Sequence, residues 1–231
     1  MSRYPPWGQL GPAAIAWWGL RTQTSSVSIE GLENVPATGP VMLVARHFHH
    51  LLDGSVIVLN VPRPVHIVVG LDWTAGAAQR RWMERACRAA QYPIVLRPAT
   101  LGERPAYARR ELVRYTRAAL DAVSALLRAG RVVLVFPEGY PNVDPAFAQK
   151  TGDDAFLPFA GGYRKMLAWA ARDGAPPVAV VPVGFHYTRG PRWSIRARFG
   201  AARFDPPAAD VEAAVHELSR PPESKTTRSP E

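Results

Sequence analysis

"GPVMLVARHFHHLLDG", residues 39–54, decides how the rest of the chain is read. Gly39 and Pro40 punctuate. The unbroken apolar run at 41–45 then suits a strand buried on both faces. It runs straight into Arg46, three histidines (His47, His49, His50) and Asp53. The next segment, "LLDGSVIVLN" (51–60), reads as a short helix. A buried strand, a polar loop and a helix make the opening of an α/β unit. In open α/β sheets, sites form where loops leave the strand ends.

The flanking segments repeat the alternation. "SVSIEG" (26–31) reads as a strand stopped by Gly31, "PVHIVVG" (64–70) as a second buried strand, and "YPIVLRP" (92–98) as a strand ending on Arg97. His66 is most simply a core or edge residue. "AAQRRWMERACRAA" (77–90) is helical. So is "RELVRYTRAALDAVSALLRAG" (110–130), with Leu112, Thr116, Ala119, Val123, Leu126 and Leu127 on one face and Gly130 as its stop. "RVVLVFPEG" (131–139) is a buried strand broken at Pro137. "GYRKMLAWAAR" (162–172) is a helix, "PVAVVPVGF" (177–185) and "RWSIRARFG" (192–200) are strands, and "ADVEAAVHEL" (209–218) is a last helix with His216 on its solvated side. The expectation is an α/β fold with a mixed, largely parallel sheet flanked by helices. A short N-terminal amphipathic helix (1–25) precedes one domain (26–219), and a polar tail (220–231) reads as disordered.

At 231 residues and 47% hydrophobic, the chain can bury one substantial core. The balance of 28 basic against 19 acidic residues gives +9, and only Lys150, Lys165 and Lys225 are lysines. An arginine-rich surface suits an anionic partner such as phospholipid headgroups, a phosphorylated substrate or nucleic acid. No basic helix face with interleaved aromatics and no nucleic-acid motif is present, so nucleic acid is not expected. The single cysteine, Cys87, excludes an internal disulfide and a Cys-x-x-Cys metal site. No secretory signal is read at the N-terminus. "GPAAIAWWGL" (11–20) is too short to span a bilayer. With Trp7, Trp17 and Trp18 it could lie in a membrane interface, or it could pack on the domain.

The histidine loop admits three readings. His47, His49, His50 and Asp53 are all possible metal ligands, but the pattern is not His-Glu-x-x-His and no second ligand cluster accompanies it. A plain polar loop is the second. The third is a His–Asp pair. The carboxylate accepts the imidazole N–H and fixes its tautomer, and the other ring nitrogen takes the proton of a substrate hydroxyl. No Gly-x-Ser-x-Gly occurs in the chain, so direct attack by a bound alcohol suits it better than an acyl-enzyme.

Several blocks, in order, resemble the glycerophospholipid acyltransferases of the lysophosphatidic-acid-acyltransferase type, over roughly residues 27–200. "VSIEGLENVPATGPVMLVARH" resembles the segment leading into the histidine. "HFHHLLDG" resembles the His-x4-Asp motif and "YPIVLRP" the second block, whose arginine contacts glycerol-phosphate. "VFPEGYPN" resembles Phe-Pro-Glu-Gly-Thr-Arg, "LPFAGGYRKMLAWA" the Phe-x-x-Gly helix, and "VVPVGF" the fourth block. Two departures stand out. The position five before Asp53 is Phe48, so His47 is one residue too far and His49 one too near. His47 directly follows the strand and is taken as the base, with a one-residue insertion; His49 is the alternative. Secondly, Tyr140 and Pro141 stand where the motif has Thr-Arg, which weakens a glycerol-phosphate acceptor.

The resemblance implies acyl transfer from an acyl thioester, acyl-CoA or acyl carrier protein, to the hydroxyl of a lysophospholipid or related lipid alcohol. His47 would be the base and Asp53 its orienter. Glu138 and Gly139 would help place the acceptor, and Arg97 would bind its phosphate, with Arg46 or Arg189 as substitutes. Pro182 and Gly184 would shape the fourth block. No metal or bound cofactor is implied. A lipid acceptor together with the basic charge implies a peripheral enzyme on an anionic membrane, facing the cytoplasm. The rivals are a hydrolase using the same His–Asp pair and an inactive lipid-binding homologue.

Overall fold

The computed structural model describes residues 7–74, 76–97, 109–144 and 149–221. In chain order the elements are α1 (Leu10–Gln23), β1 (Thr24–Glu30), β2 (Val41–Ala45), α2 (Leu52–Asn60), β3 (Val65–Ile67), β4 (Val69–Gly70), α3 (Ala77–Ala89), β5 (Ile94–Val95), α4 (Arg109–Arg128), β6 (Val132–Val135), α5 (Gly162–Ala170), β7 (Ala179–Thr188), β8 (Trp193–Phe199), β9 (Arg203–Phe204) and α6 (Ala208–Ser219). The main sheet runs β1-β8-β7-β2-β6-β3, with β9 beside β8 on the same edge of β7. β2 is parallel to both β6 and β7, β3 to β6, and β1 to β8, while β7 and β8 are antiparallel. This is the mixed, largely parallel sheet that the alternation predicts.

Every residue of β2 is buried, because helices cover both faces. The period-2 geometry of the strand divides its side chains between two cores. Val41, Leu43 and Ala45 join Leu52, Val56 and Ile57 of α2. Met42 and Val44 join Val123 and Leu127 of α4, Tyr163 and Met166 of α5, and Val211 of α6. A third, smaller cluster gathers Leu71, Cys87, Tyr92 and Leu96. The tight seat of α6 on β7 explains Gly184: any Cβ there would collide with the backbone of Leu218 and Ser219.

The structure departs from the sequence reading in several places. The run 64–70 divides at Val68: β3 stays on β6, while β4 pairs with β5 in a separate two-stranded sheet. The strand expected at 92–98 narrows to Ile94–Val95, with residue 98 outside the described residues. β7 continues to Thr188, because its antiparallel partner β8 pairs it that far. On α4, Ala119, Val123 and Leu127 are buried but Thr116 is exposed. His66 is core, its Nδ1 3.1 Å from the Gln91 carbonyl and 3.3 Å from the Gln9 amide. His216 is not on a solvated side: it is half-buried, its ring 4.1 Å from that of Phe156.

The N-terminal helix is sided, but in an unusual sense. α1 meets α2 through small residues, with Ala16 and Gly19 buried and Gly19 against Leu51. Ile15, Trp17 and Trp18 stand more than half exposed on the other side. Of the expected polar tail, residues 222–231 lie outside the described residues.

Candidate active site

Register brings the histidine loop and the turn after β6 together. Val44 of β2 lies opposite Val135 of β6 in parallel pairing. Three residues further along the chain from each come His47 and Glu138, just past the C-terminal ends of these two neighbouring strands. The His47 N–H donates to Glu138 Oε1 at 2.9 Å. Between β6 and this contact the chain turns through Phe136 and Pro137 to Gly139, whose φ of 75° is a conformation that favours glycine.

The His47 ring stacks on Phe136, with centroids 4.3 Å apart and planes 18° apart. Its Nδ1 lies 3.0 Å from Asp53 Oδ2. Asp53 is fully buried in the first turn of α2, where the positive end of the helix dipole favours an anion. The same Oδ2 accepts the Phe48 N–H at 2.6 Å and the His49 N–H at 2.9 Å. Oδ1 accepts the Tyr187 hydroxyl at 2.6 Å. Burial, then the Asp53 charge, push the Tyr187 phenol well above its ordinary range, so it remains a donor. An ionised carboxylate only accepts, so the proton of the His47 ring sits on Nδ1 and Nε2 keeps its lone pair. Nε2 makes no hydrogen bond within the described residues, and the side chain is 15% exposed. The arrangement can take a proton from a hydroxyl that approaches Nε2.

The other two histidines have different partners. His49 is buried, and its Nδ1 accepts the Leu51 and Leu52 N–H groups at 3.2 and 3.3 Å, capping the start of α2. Burial lowers its pKa to about 4, so it is neutral near pH 7. His50 is exposed, with Nδ1 3.2 Å from the Val143 carbonyl. Of the three, only the His47 ring hydrogen-bonds Asp53. The loop is zipped to residue 143 by the Val143 N–H to the Phe48 carbonyl (2.8 Å) and the His50 N–H to the Val143 carbonyl (3.1 Å). No group of three His, Cys, Asp or Glu placed to hold a metal ion occurs among the described residues.

Glu138 faces inward, beneath the backbone of His47. Its Oε2 accepts the Leu157 N–H at 3.0 Å and the Lys150 ammonium at 2.6 Å. Lys150 also donates to the His47 carbonyl at 2.6 Å and to Asn142 Oδ1 at 3.1 Å. Burial lowers the Lys150 pKa, and the Glu138 charge opposes that shift. Sequence reasoning missed both Lys150 and Tyr187. The rarity of lysine among the basic residues was a signal for the first. For the second it was the period-2 continuation from Phe185 to Tyr187, past the predicted end of the strand.

The three arginines considered as phosphate contacts, Arg97, Arg46 and Arg189, are each engaged within the protein. Arg97 Nε lies 3.0 and 2.9 Å from the two oxygens of Asp72, and its terminal nitrogen 2.7 Å from Oδ2. Arg97 also donates to the Gly139 carbonyl and stacks on Tyr140, 4.1 Å from the ring centroid. Arg46 is buried, donating to the Phe185 carbonyl at 3.0 Å and to the Asp153 carbonyl, and lying over Phe156. Its role is internal bracing, which removes it as a phosphate contact. Arg189 is exposed and held by Asp153 at 2.6 and 2.8 Å.

With this geometry in view, the comparisons with known proteins are specific. A family model described as Acyltransferase matches residues 26–186, which include His47, Asp53, Arg97, Glu138 and Gly139. Among solved structures, that of the 1-acyl-sn-glycerophosphate (LPA) acyltransferase PlsC from Thermotoga maritima is similar in fold. It has a TM-score of 0.54 at 18% identity, covering 89% of this chain and 75% of that one. No curated protein sequence matches the chain.

Proposed function

The chain belongs to the acyltransferase family, and from that premise we propose that it moves an acyl group from a thioester, acyl-CoA or acyl carrier protein, to the hydroxyl of a lysophospholipid or related lipid alcohol. His47 Nε2 takes the hydroxyl proton as the oxygen attacks the thioester carbonyl. The new C–O bond forms, the C–S bond breaks, and the departing thiolate takes the proton back from the imidazolium. Asp53 stays ionised throughout, holding the tautomer and stabilising the transient cation. The scheme uses no metal and no bound cofactor. The observation that carries it is the His47 ring, fixed by Asp53 through Nδ1 and by Phe136 through its face, with Nε2 left open.

At the acceptor end, Arg97 and Gly139 form the adjoining corner. Asp72 holds the guanidinium, and an acceptor phosphate would share its donors as a charge-assisted contact. Glu138 serves the site from beneath, by holding the His47 peptide. The likeness in fold to an LPA acyltransferase supports a lysolipid acceptor.

The enzyme would work as a peripheral protein on the cytoplasmic face of an anionic membrane. Among the described residues, no helix is long and apolar enough to cross a membrane. Trp7, Ile15, Trp17 and Trp18 are exposed on or beside α1, and α3 exposes Arg81, Trp82, Arg85 and Arg88. Indole at the interface and arginine at anionic headgroups give reversible binding without a span.

The test is product mass spectrometry. Purified protein is incubated with acyl-CoA or acyl carrier protein and a panel of lysophospholipids and other lipid alcohols. A new ester that vanishes with His47→Ala supports the reading. Free fatty acid without ester indicates a hydrolase, and no turnover with liposome binding intact indicates an inactive lipid binder. Protein that ignores anionic liposomes at low salt counts against the peripheral membrane site.

A further inference from the structure

We propose that the buried Lys150–Glu138 pair is the register lock of the histidine loop: it grips both sides of residue 47 and so presents His47, rather than His49, to Asp53. This rests on reading His47 as the base. Glu138 accepts the His47 N–H and Lys150 donates to the His47 carbonyl, 2.9 and 2.6 Å away. Both side chains are wholly buried, and they meet at 2.6 Å. The pair is satisfied throughout. The three ammonium protons have Glu138, the His47 carbonyl and Asn142, and the two carboxylate oxygens have the His47 N–H, the Leu157 N–H and Lys150.

Asp53 alone does not choose between the rings. Besides the His47 imidazole and the Tyr187 hydroxyl, which lies outside the loop, it binds the backbone N–H groups of residues 48 and 49, which any side chain would offer. The loop carries imidazoles at 47, 49 and 50, so a slip of the chain would bring a different ring to the carboxylate. A buried ion pair is a weak source of stability compared with apolar residues of similar volume, and its best-attested use is to specify register. Here the two charges come from separate segments, the turn after β6 and residue 150, and converge on one residue of a third. Lys150 and Glu138 are therefore positioning residues, acting through His47.

The test uses the full chain. Lys150→Met removes the cation but keeps the stem. The double variant Glu138→Gln/Lys150→Met leaves no unpaired charge and keeps the proposal testable where the single variant does not fold. Lys150→Arg restores a cation. Two readouts are taken: kcat and KM for ester formation, and the ring 15N spectrum of His47, assigned with His47→Gln. The expected result is a folded double variant with kcat down tenfold or more and KM for both substrates within twofold. The single Nδ1–H tautomer signal of His47 becomes mixed, and Lys150→Arg recovers part of each change. A folded double variant with kcat within twofold of wild type and an unchanged His47 spectrum overturns the lock. Wild-type protein that forms no ester defeats the proposed activity instead. The ring spectrum still decides the lock in that case, an unchanged signal overturning it.

Discussion

Two adjoining corners of the molecule are built in opposite ways, and consecutive residues tie them together. Glu138 reaches under the histidine loop, while the Gly139 carbonyl takes a hydrogen bond from Arg97. At the His47 corner, Asp53, Glu138 and Lys150 are all sealed from water, and each polar group is matched. At the Arg97 corner the arginine side chain is 21% exposed, its guanidinium pinned by Asp72 and stacked on Tyr140. Tyr140 and Pro141 also stand where the family pattern has Thr-Arg. Buried, fully paired polar groups hold one geometry, whereas a part-exposed ion pair can share its donors with a ligand. Under the proposed function the difference becomes a division of labour: the proton-transfer end would be preorganised, and the acceptor end would be where binding adapts.

That division breaks first at His47. His47→Ala should lower kcat by about 10³-fold, within the usual range for a general base, and leave the fold intact. Ester formation with circular dichroism as a control reads both. Comparable activity would remove the base from this corner altogether. Asp53→Asn comes next. Asn has one acceptor oxygen, which would serve the two loop N–H groups while its amide faces Tyr187, whose hydroxyl can turn to accept. The fold should survive with a loss of about 1–3 kcal/mol in denaturant unfolding. With the charge gone, kcat should fall about 100-fold or more.

The Arg97 corner predicts a different signature. Removing Arg97 alone would take the guanidinium from the buried Asp72 carboxylate, so the informative variant is Asp72→Asn/Arg97→Met. Its KM should rise about tenfold for a phosphate-bearing acceptor, equivalent to about 1.4 kcal/mol. KM for a neutral lipid alcohol and kcat should change less than threefold. A fall in kcat with KM unchanged would show that this corner takes part in the chemistry, and the contrast between the two corners would fail.

The class of the sheet, mixed and largely parallel with helices on its faces, was legible in the sequence because its central strands are continuous apolar runs. Such runs arise when both faces of a strand are covered, as for Val41–Ala45 and Val132–Val135. The break at Val68 was not legible. β3 and β4 differ only in which partner strand they meet, and Val68, between them, still donates its N–H to the Leu134 carbonyl. His47 and Glu138 each follow an apolar strand, and the family resemblance put them at one site. Lys150 could not be placed there, because its position depends on a contact 103 residues from His47, through a segment with no periodic pattern. Arg46 misled for a related reason. An arginine beside a histidine loop reads as a ligand contact, but its chain direction carries it into the interior, against Phe156 and the Phe185 carbonyl.

The smallest effect sharpens the comparison within the histidine loop itself. His49 has a buried ring that accepts two N–H groups of α2, and burial lowers its pKa from an ordinary 6.5 to about 4. In the unfolded chain it protonates near 6.5, while in the folded chain it resists until about 4. Its contribution to stability is therefore fully present above pH 6.5 and is lost as pH falls through the window from 6.5 to 4. At about 1.4 kcal/mol per pH unit, the loss across that window is on the order of 3 kcal/mol. His66, also lowered by burial, adds to the same slope. His49→Asn keeps a side-chain oxygen for the α2 amides but cannot titrate. It should match the wild type within about 1 kcal/mol at pH 7.5, where His49→Ala loses the cap. Between pH 6.5 and 4 its stability curve should be shallower than the wild type's. Equal slopes would mean that His49 takes up its proton in the folded protein as readily as in the unfolded chain. An imidazolium cannot accept those two amides, so the cap would be lost below pH 6.5, and with it the distinction between one histidine proposed for proton transfer and a neighbour that holds the helix.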